Sequence, residues 1–275
     1  MLAAMGLCFV VLAACTAGSG PLPTPNPAQA ETALPSAATQ ADLTIFGAAS
    51  LKAVLEAVTS TYETANPGTT ITVSTDSSAA LETQIEQGAP ADVFLSADTA
   101  NPQKLVDAGL ASGDPVPFAG NELTIIVPDD NSAGITAPAD LANDGLRIIA
   151  AGDEVPITKY ATRLVENLAG QPGAPADFAD AYAANIASKE DNVSAVVAKV
   201  ALGEGDAGIV YVTDAAAADG VATIDLPDSA NVPATYAGVV VGASPNQPAA
   251  TAFLDWLAGP DGRAVLAEFG FLPPP

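Results

Sequence analysis

From residue 42 to the C-terminus the chain alternates short apolar runs with stretches of helical spacing, and no other feature narrows the possible folds as far. Residues 43–49 (LTIFGAA) read as a strand. Leu51, Val54, Leu55, Val58 and Tyr62 then recur at helical intervals until Asn66-Pro67-Gly68 stops the pattern. Residues 71–74 (ITVS) form a second strand, Ser77-Ser78 open a helix carrying Leu81 and Ile85, and residues 92–96 (DVFLS) form a third strand, with a helix after Asn101-Pro102. Strands over 123–127, 146–150, 207–212 and 239–241 continue the alternation, with helices over about 156–168 and 193–202 and a helical tail over 251–269 that holds Trp256. Repeated strand–helix units require crossover connections, which give parallel or mostly parallel sheets with helices on both faces. The expected class is α/β, and no repeat of fixed period is visible.

Composition removes whole classes of chemistry. The chain has 32 Asp+Glu against 8 Lys+Arg, a formal charge of −24, and no histidine. Without a surplus of cations to displace counterions, a nucleic-acid partner is excluded. Without histidine there is no Ser-His-Asp triad, Cys-His pair or His-bearing zinc site. Neither a phosphate-cradling P-loop nor a dinucleotide glycine fingerprint nor an S-x-x-K spacing occurs.

Both cysteines, Cys8 and Cys15, lie in the first fifteen residues, inside and at the end of an apolar stretch too short to span a bilayer. Residues 1–15 therefore read as a secretory signal. Leu12-Ala13-Ala14-Cys15 resembles the bacterial lipobox, which implies lipidation of Cys15; a plain signal peptide with an incidental cysteine is the alternative. Residues 16–41 hold five prolines among Gly, Ser, Thr and Ala, the composition of an extended linker with a reach on the order of 75 Å.

In open α/β sheets ligands bind at the carboxyl ends of strands, where helix N-termini converge. Ser50 and Ser78 each stand between a strand and a helix, Pro156 pre-sets the first turn of a third helix, and Asn192 is a candidate N-cap for a fourth. The three residues that follow each of these positions include no Asp or Glu, although first turns favour acids. That pattern suits sites where an anionic ligand takes the carboxylate's place. Serine and tyrosine hydroxyls with backbone N–H groups would hold such an anion, and a site made only of donors favours a fully ionised dianion over one that keeps a proton. The protein's own charge repels an anion at long range, but screening over about 8–10 Å leaves the local donors to decide. Ser50 and Ser78 are equally compatible with ordinary helix caps.

Further motifs add to this. Gly47-Ala48-Ala49-Ser50-Leu51, Ser77-Ser78 with Leu81 and Gln84-Ile85-Glu86, and Gly88-Ala89-Pro90-Ala91-Asp92-Val93-Phe94 resemble, in order and spacing, the molybdate-binding protein family of ABC importers. So do Ala151-Gly152-Asp153, Val155-Pro156, Ala207-Gly208-Ile209-Val210-Tyr211 and the tail from Phe253 through Phe271, so that the resemblance covers nearly all of residues 42–273. It implies a two-lobed type II periplasmic-binding-protein fold, with lobe 1 at 42–121 plus 238–275 and lobe 2 at 122–237. It also implies molybdate-binding positions at Ser50, Ser78 (Ser77 being the off-by-one competitor), the backbone of Ile157 and Val193, and Tyr211. The implied protein is a monomeric extracytoplasmic receptor, not an enzyme and without a cofactor, that captures molybdate or tungstate for a membrane permease. A receptor for another oxyanion such as sulfate, or a histidine-free serine or carboxylate hydrolase, is the alternative.

Three other features need placing. Asp129-Asp130-Asn131 with Gly134 and Asp140 has partial calcium-loop spacing, but Ala133 interrupts it and a polar turn is the expectation. Lys159 and Arg163 either steer an anion or are solvated helix charges. Asp76 adjoins the expected pocket and should face solvent or cap a helix.

Overall fold

A computed structural model describes residues 41–275; the expectations for the signal segment 1–15, for Cys15 and for the linker up to residue 40 lie outside the described residues. β1 (Asp42–Ala48) runs into a 3-10 turn at Ala49–Leu51 and then α1 (Lys52–Ala65), whose buried Val54, Leu55, Val58 and Tyr62 lie on one helical face. There follow β2 (Thr70–Asp76), α2 (Ser78–Glu86), β3 (Val93–Ser96), α3 (Ala100–Asp107), β4 (Ala111–Asn121) and β5 (Leu123–Pro128). Next come β6 (Ile148–Ala151), α4 (Pro156–Ala169), α5 (Phe178–Ala184), β7 (Ile186–Glu190), α6 (Val193–Ala201) and β8 (Ala207–Tyr211). The chain ends with α7 (Val212–Ala216), β9 (Val221–Ile224), β10 (Ala234–Val241), α8 (Gln247–Ala258) and α9 (Pro260–Glu268).

The strands form two five-stranded sheets of order β2-β1-β3-β10-β4 and β7-β6-β8-β5-β9. In each, the first three strands pair in parallel and the remaining two add antiparallel. The sheets are therefore mixed where the alternation implied mostly parallel ones. Only Glu122 separates β4 from β5, so the chain enters the second sheet without the helical crossover that would make β5 parallel. The same plan appears twice: β6, β7 and β8 occupy the places of β1, β2 and β3, while β5 and β9 occupy those of β10 and β4. β10 rejoins the first sheet at Ala234, slightly ahead of the boundary drawn at 238.

Other differences have local causes. β4 carries Pro115 and Pro117, which hide it as a strand; it survives because it is an edge strand, bonded to β10 on one side and on the other bridged only at Gly120 to Leu272, so a missing N–H at the prolines is tolerated. The expected helical tail breaks at Gly259-Pro260 into α8 and α9, since a proline inside a helix removes a backbone donor. The Asp129–Asp140 region is a polar turn. Asn131 takes a left-handed φ of 38° and pairs with Ile135 through both amide atoms, while Asp140 accepts from Thr136 and Ala137. Those backbone N–H bonds hold the Asp140 carboxyl below its usual range. Where the chain passes between sheets, an edge-to-face aromatic series packs Phe118 and Phe271 on Tyr236, Tyr236 on Tyr211, and Tyr211 on Tyr160.

Candidate functional site

The carboxyl ends of equivalent strands face one another across the gap between the sheets. β1 leads to Ser50 and its counterpart β6 to Pro156-Ile157; β2 leads to Ser78 and its counterpart β7 to Val193; β3 leads to Ala97, and β8 ends on Tyr211. All of these line one small chamber, so the structure brings together the five positions Ser50, Ser78, Ile157, Val193 and Tyr211. The chamber has a volume of about 10 Å³, room for roughly one water molecule. As it stands, that space is too small for a four-oxygen anion.

The serines are not ordinary caps. Ser50 lies inside the 3-10 turn, and α1 has no side-chain cap; Ser78 is the first residue of α2, whose cap is Ser77, accepting from Ala80 N–H at 3.2 Å. Ser50 Oγ accepts the Tyr236 hydroxyl at 2.9 Å, and Ser78 Oγ accepts the Ala97 N–H at 3.0 Å. Each hydroxyl therefore accepts one bond from the protein and has its proton left over. α4 begins with Pro156 after Val155, and α6 begins after Asn192, whose Oδ1 accepts from Ala195 N–H at 3.0 Å. The first N–H groups of a helix have no intrahelical partner, so Ile157 and Val193 present free backbone donors. No acidic residue stands in the first turn of α1, α2, α4 or α6.

Tyr211 is 1% exposed, and its hydroxyl is sealed from solvent with no hydrogen-bond partner among the described residues. Burial raises its pKa well above the ordinary value, so the proton stays on. Just behind it, Asp214 is half-buried as a residue but has a sealed, unpartnered Oδ2. Burial pushes this carboxyl up to about 7, against partial relief from the Tyr211 backbone.

Asp76 neither faces solvent freely nor caps a helix. Its Oδ1 accepts from Ser77 N–H at 2.7 Å and from Asn192 Nδ2 at 3.1 Å, the latter bond reaching from the second half to the first. The Ser194 hydroxyl donates across the same gap to Ala49 O at 3.3 Å. Lys159 and Arg163 are exposed and outside the chamber wall, so they are solvated helix charges. Among the described residues no cluster of three or more Asp, Glu or Cys could hold a metal ion. Asn121 and Tyr236 carry no local signal of a role at the site; each matters through partners far along the chain.

The bacterial extracellular solute-binding protein family matches residues 43–272. The molybdate-binding protein ModA of Mycobacterium tuberculosis is 34% identical over 233 residues, covering 84% of this chain and 85% of that one. The chain belongs to the molybdate-binding protein family of bacterial extracellular solute-binding proteins. The periplasmic molybdate-binding protein of Azotobacter vinelandii shares the fold at a TM-score of 0.70 and 24% identity, over 85% of this chain and 100% of that one. The sulfate-binding protein SubI of Mycobacterium tuberculosis does so at 0.73 and 20% identity, over 84% and 86%. A solute-binding protein of this kind is a receptor and not an enzyme. Consistently, the partner of the Ser50 hydroxyl is a tyrosine that donates to it, and a nucleophile needs a base that accepts.

Proposed function

We propose that the protein captures molybdate, and tungstate with it, as a tetrahedral dianion held by Ser50, Ser78, Tyr211 and the backbone N–H groups of Ile157 and Val193. The ion passes to an ABC permease, and Cys15 with the linker tethers the body to the membrane. No cofactor takes part. The observation that carries the reading is the Tyr211 hydroxyl: a sealed donor without an acceptor, in a chamber wall that it shares with Ser50, Ser78, Ile157 and Val193. An unpaired buried hydroxyl costs about 1–3 kcal/mol, which an anion's oxygen would recover.

Tyr211→Phe therefore has opposite effects in the two states. Without ligand the variant is at least as stable as the wild type, because the orphan group is gone; with molybdate it binds about 1–3 kcal/mol more weakly. Thermal melts and titration calorimetry read both, and unchanged affinity would remove Tyr211 from the site. Val193→Pro tests a backbone donor directly. Position 193 opens α6, where proline is tolerated, and Asn192 before it is extended (φ −157°, ψ 169°), as a residue preceding proline prefers. The helix should form normally while molybdate affinity drops by about 1–3 kcal/mol.

The likeness to a sulfate-binding protein supports a second reading, capture of sulfate, which differs from molybdate in size alone. Competition titrations with molybdate, tungstate, sulfate and phosphate separate the two; preferential retention of sulfate would favour the second.

A further inference from the structure

A serine hydroxyl both donates and accepts, so a donor-only cage needs something that turns Ser50 into a donor. The atoms around Tyr236 form a chain whose direction is forced at every step. Asn121 lies at the end of β4, where the chain leaves the first sheet, and its Oδ1 accepts Glu122 N–H at 2.9 Å. That fixes the amide orientation, because a carboxamide oxygen cannot donate. Nδ2 is thereby turned toward Thr213 Oγ1 at 2.8 Å and the Tyr236 hydroxyl oxygen at 3.4 Å. Among the described residues the Tyr236 hydroxyl meets Asn121 and Ser50 only, and an NH2 group cannot accept its proton. Tyr236, with no solvent exposure, must then donate to Ser50 Oγ, 2.9 Å away. The single proton of Ser50 then has no place on Tyr236 and is left for an acceptor in the chamber that Ser50 lines.

We propose that Asn121 and Tyr236 are positioning residues, a one-way hydrogen-bond relay that holds Ser50 as a donor and so makes the site reject oxyanions that keep a proton. This rests on the anion-binding reading above. The relay also joins the halves: Thr213 belongs to α7, which follows the second sheet's β8, whereas Ser50 follows β1 of the first. Burial, first among several influences, raises the Tyr236 pKa well above the ordinary value, so the proton that the relay needs is present at any working pH.

The test is a double-mutant cycle on Ser50→Ala and Tyr236→Phe in the full chain, titrated with molybdate and with inorganic phosphate, whose dianion keeps a proton near neutrality. Tyr236→Phe should weaken molybdate binding by about three- to tenfold and, by freeing a lone pair on Ser50, narrow the molybdate-over-phosphate ratio by about tenfold or more. In the Ser50→Ala background the same change should do nothing further, because its effect travels through Ser50. A Tyr236→Phe effect that persists undiminished in that background would assign Tyr236 to the fold and overturn the relay. Wild-type affinity and selectivity in Tyr236→Phe, with binding still lost in Ser50→Ala, would overturn the relay alone. Unchanged molybdate binding in Ser50→Ala would overturn the underlying site and the relay together. Should Tyr236→Phe fail to fold, Asn121→Leu keeps the ring in place and must narrow the selectivity in the same direction; an unchanged ratio there counts against the relay.

Discussion

Replacing Ser50 and Ser78 together by alanine is expected to lower molybdate affinity by roughly two to four orders of magnitude. Each hydroxyl donates to a charged acceptor, worth about 1.5–3 kcal/mol, and every 1.4 kcal/mol is tenfold. The two act on one ion, so their effects will couple and need not add. The serines differ in what else they do. Removing the Ser78 hydroxyl leaves the Ala97 N–H unpaired in a buried place, so a stability loss of about 1–3 kcal/mol should accompany the binding loss. Ser77→Ala is the contrasting variant: it deletes the cap on the Ala80 N–H, costs about 1 kcal/mol of stability, and should leave affinity within a few-fold of wild type. Titration calorimetry with chemical denaturation separates these effects. A double-alanine variant that binds within tenfold of wild type would be incompatible with the proposed cage.

The second large effect is a pH dependence centred on Asp214. Its folded-state pKa is pushed up to about 7, whereas an unfolded aspartate titrates near 4. Between those values the folded chain holds a proton that the unfolded chain has lost, so stability declines as pH rises through this window and the full penalty stands above pH 7. Asp214→Asn removes the titration. Relative to wild type the variant should gain on the order of 2 kcal/mol between pH 5 and pH 8, read from denaturant melts at both values. The ionised carboxylate also lies close enough to Tyr211 and Tyr236 to raise both of their pKa values, so it opposes an anion in the chamber. Molybdate binding by the wild type should weaken above pH 7, and the step should vanish in Asp214→Asn. Parallel pH profiles for the two proteins would show that Asp214 does not face the ion.

What could be read in advance follows from the range of the physics involved. β1, α1, β3, β5, α4, α6 and β8 declare themselves because their patterns are local: a run of buried aliphatics, or an apolar stripe with a cap. Local pattern also marks Ser50, Ser78, Pro156 and Asn192 as helix starts, whereas the set Ser50, Ser78, Ile157, Val193 and Tyr211 is what the family resemblance implies. β4 is opaque because its prolines are compatible with pairing only at a sheet edge, and edges are a property of the assembled sheet. β7 (IASKE) is half-exposed and too polar to stand out. Asn121 and Tyr236 are the hardest. Tyr236 meets Ser50 across 186 positions of chain and Asn121 across 115, so no window of sequence contains the relay.

The duplicated plan of the two sheets has one further consequence. In the proposed site each half would contribute only its own portion of the donors: two serines on one side, two amides and a phenol on the other. Neither portion alone could retain a dianion against water. On that proposal, release would require no competing ligand and no chemical step, only a parting of the two halves.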